Sequence, residues 1–519
     1  MEANQRRLDR HPEYTRQTAR WLKEITMPTP TCARAPNARA LGHLFQFAGT
    51  AMVVTVLSSA TLAQPTVTES PKSGPPTDRV GVSGAGFAAD EAVDIYFDTT
   101  DLALATTNRV GSFTGIHLMI PASALPGKHW ITGVGRRSGL GAQTSFVVQT
   151  DWTQFHRGPQ RHGYNSTENV LNVANVAGLQ ALWKAVTLKA VESPPSVANG
   201  VAYVGSDDHS LYAFQSDTGK LLWRAVTGDA IYTAPTVGNG VVYAGSADNT
   251  LYAFNAVTGR PIWSAATGGC LCSSPALANG VVYVGSDDGN LYAFNAASGQ
   301  LIWRATLSGE ALASSPAVAN GVVYQAAGAI LTAFDAATGQ PIWTAVALYT
   351  IETTPAIADG VMYIGSNNGN LYAFNAATGQ QIWSAAASAL DSSPAVANGI
   401  VYIGGEDSHL HAFDAATGTP IWSATTNGLI DSSPAIANGV VYVGSSGGDV
   451  DAYNAATGQL LWSAATGGSI YSSPVVANGT VYIGSSDGNL YAYGLPPARL
   501  PAQPKPDGLK SDPTLAAQK

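Results

Sequence analysis

One position in a repeated cassette carries most of the chemistry this sequence offers. It is the residue just before Ser-Ser-Pro or its variants. Along the chain it reads Glu192, Tyr232, Cys272, Ala313, Glu352, Asp391, Asp431 and Tyr471. Carboxylate oxygens are the ligands of hard cations such as calcium, and Glu352, Asp391 and Asp431 come from three successive copies. Clustered like charges also raise one another's pKa. The competing reading is a rim of solvated polar residues. A second constellation is His409-x-His411, after Glu406 and Asp407. Strand alternation puts both imidazoles on one face, an arrangement that suits a transition metal. At the place of His411 the other copies carry Tyr212, Tyr252, Tyr292, Thr332, Tyr372, Asp451 and Tyr491, so drift at a surface position explains the pair as well. Cys270 and Cys272 stand two apart on an expected strand and face one way, and no disulfide framework is indicated. The Ser-Ser-Pro serines recur in copies that lack a nearby base, so they read as structural. No nucleophile–His–Asp set, phosphate loop or paired catalytic carboxylates is visible.

A repeat positions these residues. Tryptophans fall at Trp183, Trp223, Trp263, Trp303, Trp343, Trp383, Trp422 and Trp462, spaced by 40 residues except for one interval of 39. Asn-Gly or Asp-Gly pairs recur in the same phase, from Asn199-Gly200 to Asn478-Gly479. In the copy after Leu271, residues 273–278, 281–286, 291–294 and 301–305 read as four strands. Asn279-Gly280 favours a type I′ hairpin, because both residues tolerate positive φ. Asn295 is suited to cap the next turn with its side chain, and Gly299 to take its left-handed position. Four antiparallel strands in each of eight copies predict an all-β, eight-bladed β-propeller over residues 181–494. The recurring indole is the natural wedge between neighbouring blades. The first copy begins at its Trp strand and the last stops after its third strand. Together they complete one blade, so the ring is expected to close by pairing its two ends. Glu192, Tyr232, Glu352, Asp391, Asp431 and Tyr471 then face one mouth of a central channel as candidate binding residues. Glu352, Asp391 and Asp431 are the candidate cation ligands.

Upstream, Arg34 and Arg39 precede an apolar run over residues 44–63. Residues 1–63 therefore read as a signal peptide or an N-terminal membrane anchor, with cleavage before Gln64 and with Met27 as an alternative start. Residues 64–78 are rich in Pro, Ser and Thr and read as a linker. Residues 79–150 hold strand candidates at 80–82, 93–97, 102–106, 112–120, 129–134 and 144–148, which predict a small β-sandwich. Residues 151–180 are a lead-in segment. It includes Asn165-Ser166-Thr167, a formal glycosylation sequon of little weight. Residues 495–519 form a Pro-rich tail expected to be disordered.

Charged residues make up 12% of the chain, about half the usual ~25%. Net charge is −9, and no Lys or Arg lies between Arg304 and Arg499. Nucleic-acid binding needs cations on the phosphates, so that partner class is excluded.

The cassette N/D-A-A-T-G-Q-x-x-W followed by S-S-P-x-x-A-N-G-V-V-Y-x-G-S resembles the pyrroloquinoline-quinone (PQQ) repeat. That repeat occurs in quinoprotein dehydrogenases and in the outer-membrane assembly lipoprotein BamB. The lead-in around Trp152, Phe155, Gly163 and Asn165 is similar to the segment before such propellers. The stretch from Gly84 to Asp98 resembles bacterial Ig-like modules, which implies a spacer or adhesion role. The dehydrogenase resemblance implies PQQ, a tricarboxylate, held over the axis with calcium. It also implies cations, an adjacent Cys–Cys pair and long insertions around the cofactor. The propeller interval has only six basic residues, Lys184, Lys189, Lys220, Arg224, Arg260 and Arg304, and its cysteines are spaced. The expectation is therefore a secreted or cell-surface, monomeric, non-catalytic binding or scaffold protein. No cofactor is expected, calcium is the one ion the carboxylates suit, the protein or small-molecule partner is unidentified, and residues 44–63 offer a membrane tether. The alternative is a PQQ-dependent alcohol or sugar dehydrogenase. A BamB-like role in outer-membrane assembly would lack the usual lipidation Cys.

Overall fold

The computed structural model describes residues 64–308, 314–347, 349–388 and 391–496. Residues 1–63, read above as a signal peptide or membrane anchor and including Cys32, the ring position Ala313 and the tail from residue 497 lie outside the described residues. Within them, no helix is long and apolar enough to cross a membrane.

The first domain is a two-sheet sandwich. One sheet orders Thr66–Ser70, Arg79–Ala85 and Phe113–Met119. The other orders Ser73–Gly74, Gly141–Val148, Gly127–Gly135, Ala92–Phe97 and Thr100–Thr106. Alternation sends Val80, Val82, Val93, Ile95, Ile131 and Phe146 into one shared core. Residues 64–78 are therefore not a linker. Thr66–Ser70 pairs antiparallel with Arg79–Ala85, and Ser73–Gly74 runs parallel to Gly141–Val148. The prolines that suggested a linker, Pro65, Pro71, Pro75 and Pro76, flank these short strands, and Ser70 and Ser73 are part of them.

The rest is a β-propeller. Each repeat folds as an antiparallel sheet of four strands, as in Ala276–Ala278, Val281–Ser286, Asn290–Asn295 and Leu301–Thr306. The innermost strand is only three residues long. Ser273, Ser274 and Pro275 precede it as loop, as do Cys270 and Cys272, which sequence alternation placed on a strand. Asn279 and Gly280 both have positive φ, 48° and 77°, as a type I′ turn requires. The innermost strands neighbour one another in cyclic order, and Val475–Ala477 returns to Ser196–Ala198. The closing sheet takes its outermost strand, Gln180–Val186, from the start of the array and pairs it with Asn489–Gly494.

Neighbouring sheets dock through the tryptophans. Trp223 Nε1 donates to the Ala256 carbonyl of the next sheet at 3.0 Å. Trp462 does the same across the closure, to Leu179 at 3.0 Å. The indole lies flat on the turn glycine of that next sheet. A Cβ on Gly299 would stand 2.6 Å from the Trp263 ring, so this position needs glycine for contact as well as for its φ of 71°. The Ser-Ser-Pro hydroxyls make a second belt nearer the axis. Ser274 Oγ accepts from Ala234 N–H at 3.0 Å, and Ser315 Oγ accepts from Ser274 N–H at 2.9 Å. The same link recurs from Thr354 to Ser393, Ser393 to Ser433 and Ser433 to Ser473.

Candidate functional site

A three-residue inner strand leaves one backbone problem. Its central residue turns N–H and C=O away from the sheet and toward the axis, and buried donors need partners. The lead-in supplies them. Val197 N–H donates to Trp152 O at 2.8 Å, and Trp152 N–H returns a bond to Val197 O at 2.9 Å. Val237 N–H reaches Thr153 O, and Leu277 N–H reaches the Gln154 side chain. The N–H groups of Val318, Ile357, Val396 and Ile436 bond the carbonyls of Pro159, Gln160, His162 and Gly163. Asn165 Nδ2 donates to Val476 O at 2.8 Å, and Tyr164–Asn165 runs as a short parallel strand beside Ala435–Ala437. Residues 152–165 thus circle the channel and touch every innermost strand once. The circuit sits at the end bearing the Asn-Gly turns, where Asp151 accepts from Asn199 N–H at 2.9 Å. Gly163 has φ 66°, and a Cβ there would lie 2.7 Å from Ala395 Cβ. Asn165 is fully buried with its amide committed to Thr150 O and Val476 O, so the sequon is structural.

At the heart of this plug lies Arg161, with no exposure. Its guanidinium donates to the carbonyls of Phe155, Ser274, Pro275 and Pro316 at 2.8–3.0 Å. No carboxylate is among these partners, and burial pulls its pKa down to about 9, so it remains a cation at neutral pH. His156 stacks on Phe155 with ring centroids 4.4 Å apart. Its Nδ1 faces the Arg161 carbonyl at 3.0 Å, which can only accept, so Nδ1 carries the proton and the buried Nε2 is bare. Burial drops the His156 pKa to about 3, and burial with the Arg157 charge drops His162 to about 4. Counting cations over residues 181–494 missed Arg157 and Arg161. The signal that was available is two basic pairs, His156-Arg157 and Arg161-His162, in a chain otherwise poor in charge.

The other mouth has a different chemistry. Glu192, Tyr232, Glu352, Asp391, Asp431 and Tyr471 all sit half-buried in the loops that enter the innermost strands. A second acidic position, unnoticed in the sequence, stands behind them. Asp207, just after the second strand of its sheet, has its pKa pushed up to about 7 by burial and by the charge of Glu192. Asp287 and Glu406 occupy the same place in their repeats. Among the described residues, one group of three metal-ligating side chains brings its donor atoms within 4.8 Å of one another: Cys270, Cys272 and Asp287. Glu352, Asp391 and Asp431 do not converge to that distance. Cys270 and Cys272 are joined as a disulfide with Cα atoms 5.8 Å apart, a local crosslink the sequence did not indicate.

His409 and His411 share one face of the strand His409–Asp414, ring centroids 6.0 Å apart. His411 Nε2 lies 3.1 Å from Asp407 Oδ2. The equivalent tyrosines of other repeats do the same work: Tyr252 donates to Asp248 at 2.7 Å and Tyr491 to Asp487 at 2.6 Å. His411 therefore takes the place of the tyrosine in this contact to the aspartate, while His409 meets the Asp407 carbonyl and Thr425 Oγ1.

No curated protein matches the chain. Among solved structures, a europium-containing methanol dehydrogenase superposes with TM-score 0.60 at 14% identity, covering 67% of this chain and 98% of its own. A quinohemoprotein alcohol dehydrogenase from Comamonas testosteroni gives 0.60 at 17% identity, covering 68% and 82%. BamB from Moraxella catarrhalis gives 0.52 at 21% identity, covering 61% and 99%. At these identities the likeness is one of fold. The family model for outer membrane protein assembly factor BamB matches residues 168–276, 267–349 and 327–518. These matches span well over half of the sequence, and the chain belongs to that family.

Proposed function

We propose that this is an extracytoplasmic, monomeric, non-catalytic binding protein. In this reading an eight-bladed propeller carries an Ig-like sandwich at its plugged end and offers its acidic mouth to a partner. The observation that carries it is the contrast along the axis. One end is filled by the chain's own backbone, and the other is rimmed with carboxylates. Charge of one sign around a concave mouth attracts the opposite sign and steers its approach. The partner is thus a protein with a basic contact surface, the kind of role that the family description, assembly of other proteins, supports. Residues 44–63 would tether or export it.

The residues present do not fit PQQ. A tricarboxylate over this mouth would meet Glu192, Asp207, Asp391, Glu406 and Asp431, whereas Arg161 is already saturated by carbonyls. Adding PQQ and calcium is expected to give neither a bound-quinone spectrum nor alcohol-dependent dye reduction, and turnover would sink the proposal. Directly, a fluorescent oligolysine peptide should bind at low salt and release at high salt. The combined Glu192→Gln, Glu352→Gln, Asp391→Asn and Asp431→Asn variant should lose that binding while melting normally. Unchanged binding by the variant would remove the mouth as the site.

A further inference from the structure

We infer that Cys270, Cys272 and Asp287 form a metal site for a thiophilic divalent cation of the zinc type, opened by reduction of their disulfide. Two sulfurs and a carboxylate oxygen already lie within 4.8 Å of one another. The set is held together by backbone: Asp287 N–H donates to Cys270 O at 3.0 Å, and Leu271 N–H to Ser246 O at 3.3 Å. The first bond ties the carboxylate loop to the cysteine loop and the second ties the cysteine loop to the preceding sheet, and neither uses a sulfur. Both cysteines are half-buried and Asp287 is exposed, so the site has a protein wall and a solvent side. Residues 270–275 form no strand. The loop can therefore widen until two thiolates stand about 3.8 Å apart, the separation set by tetrahedral zinc with Zn–S bonds near 2.3 Å. Two thiolates with one carboxylate favour a borderline-soft ion over calcium, and leave a fourth position for water.

The chemistry balances with a small thiol as reductant. Two such thiols pass two electrons to the S–S bond, leave as their own disulfide, and supply the two protons that Cys270 and Cys272 take up. The cation then displaces both protons on binding. The small-molecule disulfide formed in that exchange can run it backwards, taking two electrons and two protons to return as two thiols while the crosslink re-forms and the ion leaves, so the two states exclude each other. This inference stands apart from the basic-partner reading. It uses one repeat only, since no other repeat carries a cysteine.

The test uses the full chain with Cys32→Ser, so that only the pair reports, and cobalt(II) as the probe. Reduced protein should bind one cobalt per chain with a thiolate-to-metal charge-transfer band that zinc abolishes. The oxidised protein should show no band. Cys272→Ser should lose the band under reduction at an unchanged melting temperature. Asp287→Asn should keep the band and bind more weakly. Absence of a band in protein whose two thiols react with a thiol reagent overturns the site. Equal affinity in Asp287→Asn overturns the three-ligand set.

Discussion

The two ends of the channel answer the same geometric problem in opposite ways. Both are places where chain from every repeat converges on one axis. At the Asn-Gly end the convergence is sealed: seven inward N–H groups are matched by lead-in acceptors, the Val476 carbonyl by the Asn165 amide, and the histidines there are held neutral. At the Ser-Ser-Pro end it is left wet, and carboxylates gather where water screens them. A charge in the sealed end has to be hydrogen-bonded on all sides, as Arg161 is, because burying it otherwise is costly. The wet end tolerates charge and can exchange it with a partner. Buried structure is concentrated at one end and exposed charge at the other.

The comparison breaks most readily at Arg161. Arg161→Met removes the donor to four buried carbonyls, and should lower stability by about 3–5 kcal/mol. A fall in the urea midpoint with an unchanged slope would show it. Acid is the next probe. Both plug histidines titrate lower folded than unfolded, so between about pH 6.5 and 4 the unfolded chain binds more protons and stability falls as pH falls. From pH 7 to pH 5 the loss should be about 2 kcal/mol for each histidine. Urea melts of His156→Gln and His162→Gln at the two pH values should show a flatter dependence. The mouth responds with the opposite sign. Asp207 holds its proton to a higher pH folded than unfolded, so its contribution worsens as pH rises from about 4 to 7. Asp207→Asn should therefore stabilise the protein at pH 8 and not at pH 4, by less than about 1 kcal/mol for so accessible a group. The smallest effect is expected from joint neutralisation of Glu352, Asp391 and Asp431, within about 0.5 kcal/mol at neutral pH. A large change in its thermal melt would mean that the acidic mouth is structural after all.

The propeller sheets were legible because their determinants are side chains that recur. Indole, Asn-Gly and the Asn-to-Gly turn each leave a letter in every copy. The plug was not legible, because most of its bonds use main-chain atoms of Thr153, Pro159, Gln160, His162 and Gly163, which leave no periodic signature. The cysteine pair was misplaced on a strand for a related reason. Alternation extended the inner strand back through Ser-Ser-Pro, whereas the Ser274 hydroxyl is spent on the neighbouring sheet and that of Ser273 on Gly285 N–H, and the strand begins only at Ala276. The strands at 66–74 were hidden by their shortness and by the prolines around them. The candidate mouth residues were placed by counting repeats. That Glu192 has an acidic neighbour in Asp207 depends on the approach of two loops, which counting does not supply.

The circuit of residues 152–165 also acts as a gauge. Chains of near-identical repeats gain and lose copies easily during replication of their genes, and an open array of such units tolerates the change because each unit touches only its neighbours. Here one short peptide carries a fixed set of partners, laid out in order: acceptors for the inward N–H groups of Val197, Val237, Leu277, Val318, Ile357, Val396 and Ile436, and for Val476 the Asn165 amide that donates to its carbonyl. A ring with a repeat too few would leave one of these partners facing nothing, and a ring with one too many would leave an inner strand without a partner. The lead-in thus sets the copy number that natural selection can keep, and it reads that number through the backbone, where the repeats' own sequences are free to drift.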